Sequence, residues 1–93
     1  MVFTINFSEE KNQLLKLTRG ICFENVILAI NNNKLLADKK HPNPSFKHQR
    51  ILIIEINGYA YVVPYVINKL KKEVFLKTVY PSRVLTKKYL KKE

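Results

Sequence analysis

The sequence predicts an α+β fold. Two N-terminal helices and a basic C-terminal helix pack on a small antiparallel sheet of about four to five strands. The predicted order is β-α-α-β-β-β-β-α. Three observations carry this. Apolar residues recur at helical spacing in the first third of the chain. Two β-rich runs flank an Asn-Gly pair in the second half. The connections in that half are too short for parallel crossovers, so its strands must pair antiparallel.

The elements follow in order. "VFTINF" alternates loosely and predicts a short strand. Ser8 is a good N-cap, and Glu9 and Glu10 suit the positive end of a helix. Leu14, Leu15 and Leu17 are expected to form the buried side of that helix. Gly20 ends it, because a glycine tolerates the positive φ of a helix C-terminus. Phe23, Val26, Ile27 and Ile30 then sit at i, i+3, i+4 and i+7, the pattern of a second amphipathic helix. "NNN" at 31–33 stops it, and "KLLAD" predicts a short strand. "KKHPNPSFKH" is a lysine- and proline-rich loop.

"QRILIIEI-NG-YAYVVPYV" predicts a hairpin on a two-residue type I′ turn at Asn57-Gly58. That turn pairs Ile56 with Tyr59, Ile54 with Tyr61, Leu52 with Val63 and Arg50 with Tyr65. These eight side chains share one face, and Glu55, Ala60, Ile53, Val62 and Ile51 take the other. Both faces are largely apolar, so the hairpin is expected at the centre of the sheet. Pro64, opposite Ile51, is expected to bring a bulge or the end of pairing. "INKLKK" is a basic turn and "EVFLKTVY" a further strand, whose alternation puts Lys77 on the face of Val79. Pro81 breaks that strand, and Ser82 caps a last helix running to about residue 91.

The 93 residues fit one domain with one modest core. Hydrophobic residues make up 46%, too many for a disordered chain. No apolar run is long enough to span a membrane, and "MVFTINFSEE" does not read as a secretory signal. Cys22 is the single cysteine, so no internal disulfide forms, which fits a cytoplasmic setting. On a helix of apolar residues, Cys22 reads as a small core residue.

Charge is the dominant feature. Seventeen Lys and Arg oppose seven Asp and Glu, a net +10. The imbalance is concentrated: residues 67–93 carry nine cations and two acids. A polyanionic partner follows, whether nucleic acid, an acidic protein or an anionic membrane; with RNA as the expected partner, no membrane and no small-molecule cofactor are expected. Two glycines in all leave no phosphate-binding loop and no dinucleotide fingerprint. No Cys/His cluster suggests zinc, and the carboxylates are scattered, so no metal site is expected.

What remains is cationic and aromatic. Arg83 falls in the first turn of the last helix, where free N–H groups and a local guanidinium attract phosphate. Arg83, Lys87 and Lys91 recur at four-residue spacing with Lys88 and Lys92 beside them, while Leu85 and Tyr89 face the protein. Lys77 interrupts an apolar strand. Arg50 opens the hairpin opposite Tyr65, and that face reads either as core or as an aromatic platform for RNA. His41 and His48 flank "PNPSFK" on the basic loop, and His41 is the candidate proton shuttle.

"FSEEKNQLLKLTRGICFENV", followed by "HPNPSFKHQRILIIEINGYAYVVPYV" and "EVFLKTVYPSRVLTKKYL", resembles the BrnT-like toxin family over nearly the whole chain. The resemblance is carried by "RGICFE" at 19–24, His41, "QR" at 49–50, and "PSR" with the helix after it at 81–90. It implies a RelE-like fold and a ribonuclease toxin of a bacterial type II toxin–antitoxin system. Such toxins inhibit translation by cutting RNA and are neutralised by a cognate antitoxin, often of ribbon-helix-helix type. DNA is then reached only through the antitoxin. Two positions depart from the family pattern: Gln49 stands where an acid usually precedes the arginine, and Lys87 and Lys88 occupy a stretch that commonly holds an acid.

The expected chemistry is metal-free RNA cleavage. His41 is the candidate base, with Tyr65 or Tyr89 behind it. Arg50, Lys77 and Arg83 are the expected stabilisers of the crowded phosphate. Ser82, Lys87, Lys88, Lys91, Tyr65 and Tyr89 complete the expected RNA- and phosphate-binding set. The rival reading is a non-catalytic basic module that binds nucleic acid or a protein.

Overall fold

A computed structural model describes residues 4–90. Its elements are β1 (Thr4–Phe7), α1 (Glu9–Arg19), α2 (Phe23–Asn31), β2 (Leu35–Lys40), β3 (Arg50–Ile56), β4 (Tyr59–Asn68), β5 (Glu73–Leu76), β6 (Tyr80–Pro81) and α3 (Arg83–Tyr89). A 3-10 turn at Pro44–Phe46 interrupts the loop between β2 and β3. The sheet order is β1-β5-β4-β3-β2, with β6 also paired to β4. The second half pairs antiparallel throughout, and β1 joins the edge in parallel with β5, so the sheet is mixed.

The hairpin has the register that the Asn-Gly turn dictates, with Ile56 opposite Tyr59 and Arg50 opposite Tyr65. Asn57 and Gly58 both have positive φ, 53° and 80°, as a type I′ turn requires. Both faces of the hairpin are covered. Leu52, Ile54, Val63 and Tyr65 join Phe23, Val26 and Leu15 in one cluster under α1 and α2. Ile51, Ile53, Ala60 and Val62 form a second cluster under Leu85, Tyr89 and Leu90 at α3. Helices therefore lie on both sides of the sheet. Phe23 is fully buried, and its removal to alanine is worth about 3–5 kcal/mol.

Three expectations are corrected. In α1 only Leu15 of the three leucines is buried; Leu14 is 51% and Leu17 85% exposed. Residues 15 and 17 lie on opposite sides of a helix, so they cannot share a buried stripe. The inner face is instead Asn12 and Leu15, at i and i+3, while Arg19 one turn further on is exposed. Asn12 is fully buried. Its Oδ1 accepts from Phe23 N–H at 2.7 Å, and its Nδ2 donates to Glu24 and Glu9 at 2.8 and 3.1 Å. It thereby caps the start of α2. The bond from Asn12 holds the Glu24 carboxyl below its usual range. Cys22 itself lies just before α2, half-buried, where its N–H and Sγ both donate to Asn25 Oδ1.

The second correction concerns Pro64. Pairing with β3 runs past it unbroken to Arg50 and Tyr65. The break lies on the opposite edge of β4, where the partner changes from β6 at Tyr61–Val62 to β5 at Tyr65. The absent Pro64 N–H points to that gap, and the ladder loses nothing.

The third is the last predicted strand, which splits into β5 and β6 around irregular residues Lys77–Val79. Arg19 Nη1 clasps this segment by donating to Val79 O at 2.7 Å. The twist lets Val79 be fully buried while Lys77 is exposed, so the two do not share a face.

Candidate functional site

Lys40 at the end of β2 faces Arg50 at the start of β3. The loop between them is short of slack. Asn43 Oδ1 accepts from Ser45 N–H and caps the 3-10 turn, and His41 N–H donates to Gln49 O at 3.3 Å. The loop and strand ends enclose a cleft of about 460 Å³ lined by Lys40, His41, Lys47, Gln49, Arg50 and two prolines. Two residues selected separately in the sequence, His41 and Arg50, thus meet in one cationic concavity.

Arg50 is held from behind. Its Nε donates to Asp38 Oδ1 at 3.2 Å and to the Tyr65 hydroxyl at 3.3 Å, and its Nη2 donates to Asp38 O at 3.4 Å. The Tyr65 hydroxyl donates in turn to Asp38 Oδ1 at 2.8 Å. The bonds to Tyr65 and then Asp38 hold the guanidinium above its ordinary range. Burial, then the bond to Asp38, pushes the Tyr65 phenol up. Arg50 Nη1 makes no hydrogen bond to a described residue, so that edge of the fork is open to an anion.

Asp38 was not legible as a site residue. It pairs with Leu52, diagonally across from Arg50, within reach of a long guanidinium. Its register depends on an irregularity between Leu35 and Ala37, and no sequence pattern announces that shift. The one available signal was an acid in a strand beside Lys39 and Lys40.

His41 is fixed by two contacts. Asn43 N–H donates to its Nδ1 at 3.1 Å, and the Phe46 ring packs against it with centroids 4.9 Å apart. With the Nδ1 lone pair engaged, the neutral ring carries its proton on Nε2. It therefore presents a hydrogen-bond donor. To act as the expected base it must first release Asn43. His48 lies exposed on the same loop.

The remaining expected site residues lie elsewhere. Lys77 follows Leu76, which is opposite Tyr65, and its ammonium sits 5.6 Å from the Phe75 ring centroid, on the α3 side of the sheet. Ser82 caps α3: its hydroxyl accepts from Leu85 N–H and its carbonyl from Thr86 N–H and hydroxyl. Ser82 N–H donates to Ala60 O, and Thr86 Oγ1 accepts from Ala60 N–H, so the cap is stitched to β4. Arg83, Lys87 and Lys88 are exposed on the outer side of α3, and the expected Lys91 contact lies outside the described residues. Tyr89 is half-buried under Lys88, whose ammonium is 5.5 Å from its ring centroid. Tyr65 is 4% exposed, which leaves no open ring face for base stacking.

A second cleft of about 510 Å³ lies at the β4–β5 turn, between Val66, Lys69, Leu70, Glu73 and Phe75. It brings together neither arginine nor histidine. Among the described residues, no group of three or more His, Cys, Asp or Glu is arranged to hold a metal ion. No described helix is long and apolar enough to cross a membrane. Comparison with protein-family models, curated proteins and solved structures finds no match.

Proposed function

We propose that this chain is a BrnT-like endoribonuclease toxin that cuts RNA without a metal and is neutralised by a cognate antitoxin. One observation carries the reading. His41 and Arg50 line a single cleft with Lys40 and Lys47, and Asp38 and Tyr65 hold the arginine in place. The net charge of +10 and the sequence resemblance point the same way.

The reaction forms a bond from the ribose 2′ oxygen to the adjacent phosphorus and breaks the bond from phosphorus to the 5′ oxygen. Negative charge accumulates on the phosphate oxygens. The open edge of Arg50, the Nε2–H of His41 and the lysines offer donors to them, and one well-aimed donor is worth about 10²–10³ in rate. The 2′ proton leaves to solvent, and Asp38 serves only to hold Arg50 from behind. The 5′ oxygen takes its proton from water. His41 and Arg50 thus act chiefly on charge, and the toxin and antitoxin roles rest on the resemblance.

A specific observation favours a second reading, a basic module that binds RNA without cutting it. The His41 Nδ1 lone pair and the Tyr65 hydroxyl proton are both already engaged, by Asn43 and Asp38. Induction in bacteria separates the two. The wild-type chain is expected to arrest growth and deplete RNA, and Arg50→Gln to relieve both. Intact RNA during wild-type expression sinks the cleavage reading.

A further inference from the structure

We propose that Arg83, Lys87 and Lys88 form a second RNA-binding surface, separate from the cleft, which grips the backbone of the same strand several nucleotides from the cut. The inference rests on RNA being the ligand of the cleft.

The first observation is one of place. Arg50 shares its face of the sheet with Tyr65, Leu52 and the helices α1 and α2. Leu85 and Tyr89 of α3 pack on the opposite face, against the cluster that contains Ile51, Ile53, Ala60 and Val62. The start of α3 is pinned to Ala60 by the Ser82 N–H. Ala60 pairs with Glu55, and Arg50 lies five residues further along β3. At about 3.3 Å per residue that is about 17 Å along the sheet. Adding the helix layer puts Arg83 about 20 Å from Arg50. No single phosphate touches both.

The second observation is the chemistry of the surface. Leu85 and Tyr89 turn inward, which leaves Arg83, Val84, Lys87 and Lys88 facing out, and Val84 is 74% exposed. No acid occurs between Val74 and Leu90, so nothing on this segment neutralises the three cations. Arg83 and Lys87 are four residues apart, about 6 Å along the helix axis. That matches about two steps of a stacked strand, whose phosphates recur every ~3.4 Å. A linear row of cations at that interval suits a linear polyanion.

The separation sets the length of the ligand. A strand must pass around the sheet, so the separation of about 20 Å sets a minimum of about six stacked nucleotides. A tetranucleotide held in the cleft falls short of α3, whereas a strand of about 20 nucleotides reaches it.

The test compares wild type with Arg83→Gln/Lys87→Gln/Lys88→Gln on a tetranucleotide and on an unstructured RNA of about 20 nucleotides. Two quantities are read. One is the ratio of kcat/KM for the long RNA to that for the short one. The other is the salt dependence of long-RNA affinity, by fluorescence anisotropy. The ratio is expected to fall about tenfold, and the slope of log affinity against log salt to fall by about 2, roughly 0.7 for each lost phosphate. An unchanged slope overturns the proposal. Equal losses on both substrates also overturn it, because they place the stripe and the cleft in one site. If the wild type cuts neither RNA yet the slope falls, the cleavage reading fails and the second surface stands.

Discussion

Tyr65→Phe isolates the device that holds Arg50. The substitution keeps a ring that is 4% exposed and deletes one oxygen. That oxygen donates to Asp38 at 2.8 Å and accepts from Arg50 at 3.3 Å. Hydrogen bonds to charged groups contribute about 1.5–3 kcal/mol. The Arg50 and Asp38 side chains are 40% and 43% exposed, so water replaces part of what is lost. The low end applies, about 1.5 kcal/mol, or a Tm lowered by about 6–12 °C in a domain of this size. Tyr65→Ala removes the ring as well and costs about 3–5 kcal/mol. Asp38→Asn breaks only a partly solvated ion pair and costs less than Tyr65→Phe. Urea titration followed by circular dichroism orders the three. Cleavage is expected to follow a different order: Tyr65→Phe and Asp38→Asn each lose about tenfold, because either change frees Arg50 to wander. The reasoning is refuted if Tyr65→Phe is as stable as wild type, or if both conservative changes leave cleavage intact in folded protein.

Other outcomes follow from the same contacts. Asn12→Ala strands the buried Phe23 N–H and should cost about 2–4 kcal/mol by urea titration, with the Glu9 and Glu24 carboxylates rehydrated at little expense. Leu17→Lys should change stability by less than about 0.5 kcal/mol, since that leucine is 85% exposed. Thr86→Val keeps the shape but leaves Ala60 N–H without its acceptor, and should cost about 1–3 kcal/mol in the same assay. The raised phenol of Tyr65 sets an alkaline limit. The stability it adds is fully present below the ordinary value of 10.0 and is lost as pH rises through the raised folded value. Tyr65→Phe should flatten the fall in stability above about pH 10 in an alkaline titration.

The hairpin was legible because its signals are local. Asn57-Gly58 fixes the turn, the turn fixes the register, and alternation then assigns both faces. The caps at Ser8 and Ser82 were legible for the same reason, each being one side chain bonded three residues ahead. What escaped depends on partners distant in sequence. Asn12 is polar and fully buried because α2 starts beside it, a fact of tertiary packing. The irregular segment between β5 and β6 is held by Arg19, whose guanidinium reaches a carbonyl 60 positions away. In the candidate site, Arg50 and His41 stood out as residue types able to act on phosphate. Asp38 did not, because its role exists only once β2 has found its shifted register on β3. Lys77 and Arg83 were grouped with them by charge, and only the sheet shows that they face the other way.

The most direct measurement is a cleavage assay with purified protein. A 5′-labelled single-stranded RNA is incubated with a chelator and wild type, His41→Ala or Arg50→Gln, and the product ends are identified by mass. Wild type is expected to leave 2′,3′-cyclic phosphate ends despite the chelator, with cleavage lowered about 10²-fold or more by Arg50→Gln and by a smaller factor by His41→Ala. Folded wild-type protein that leaves the RNA whole, or an Arg50→Gln variant that cuts as fast, would contradict a catalytic cleft at His41 and Arg50.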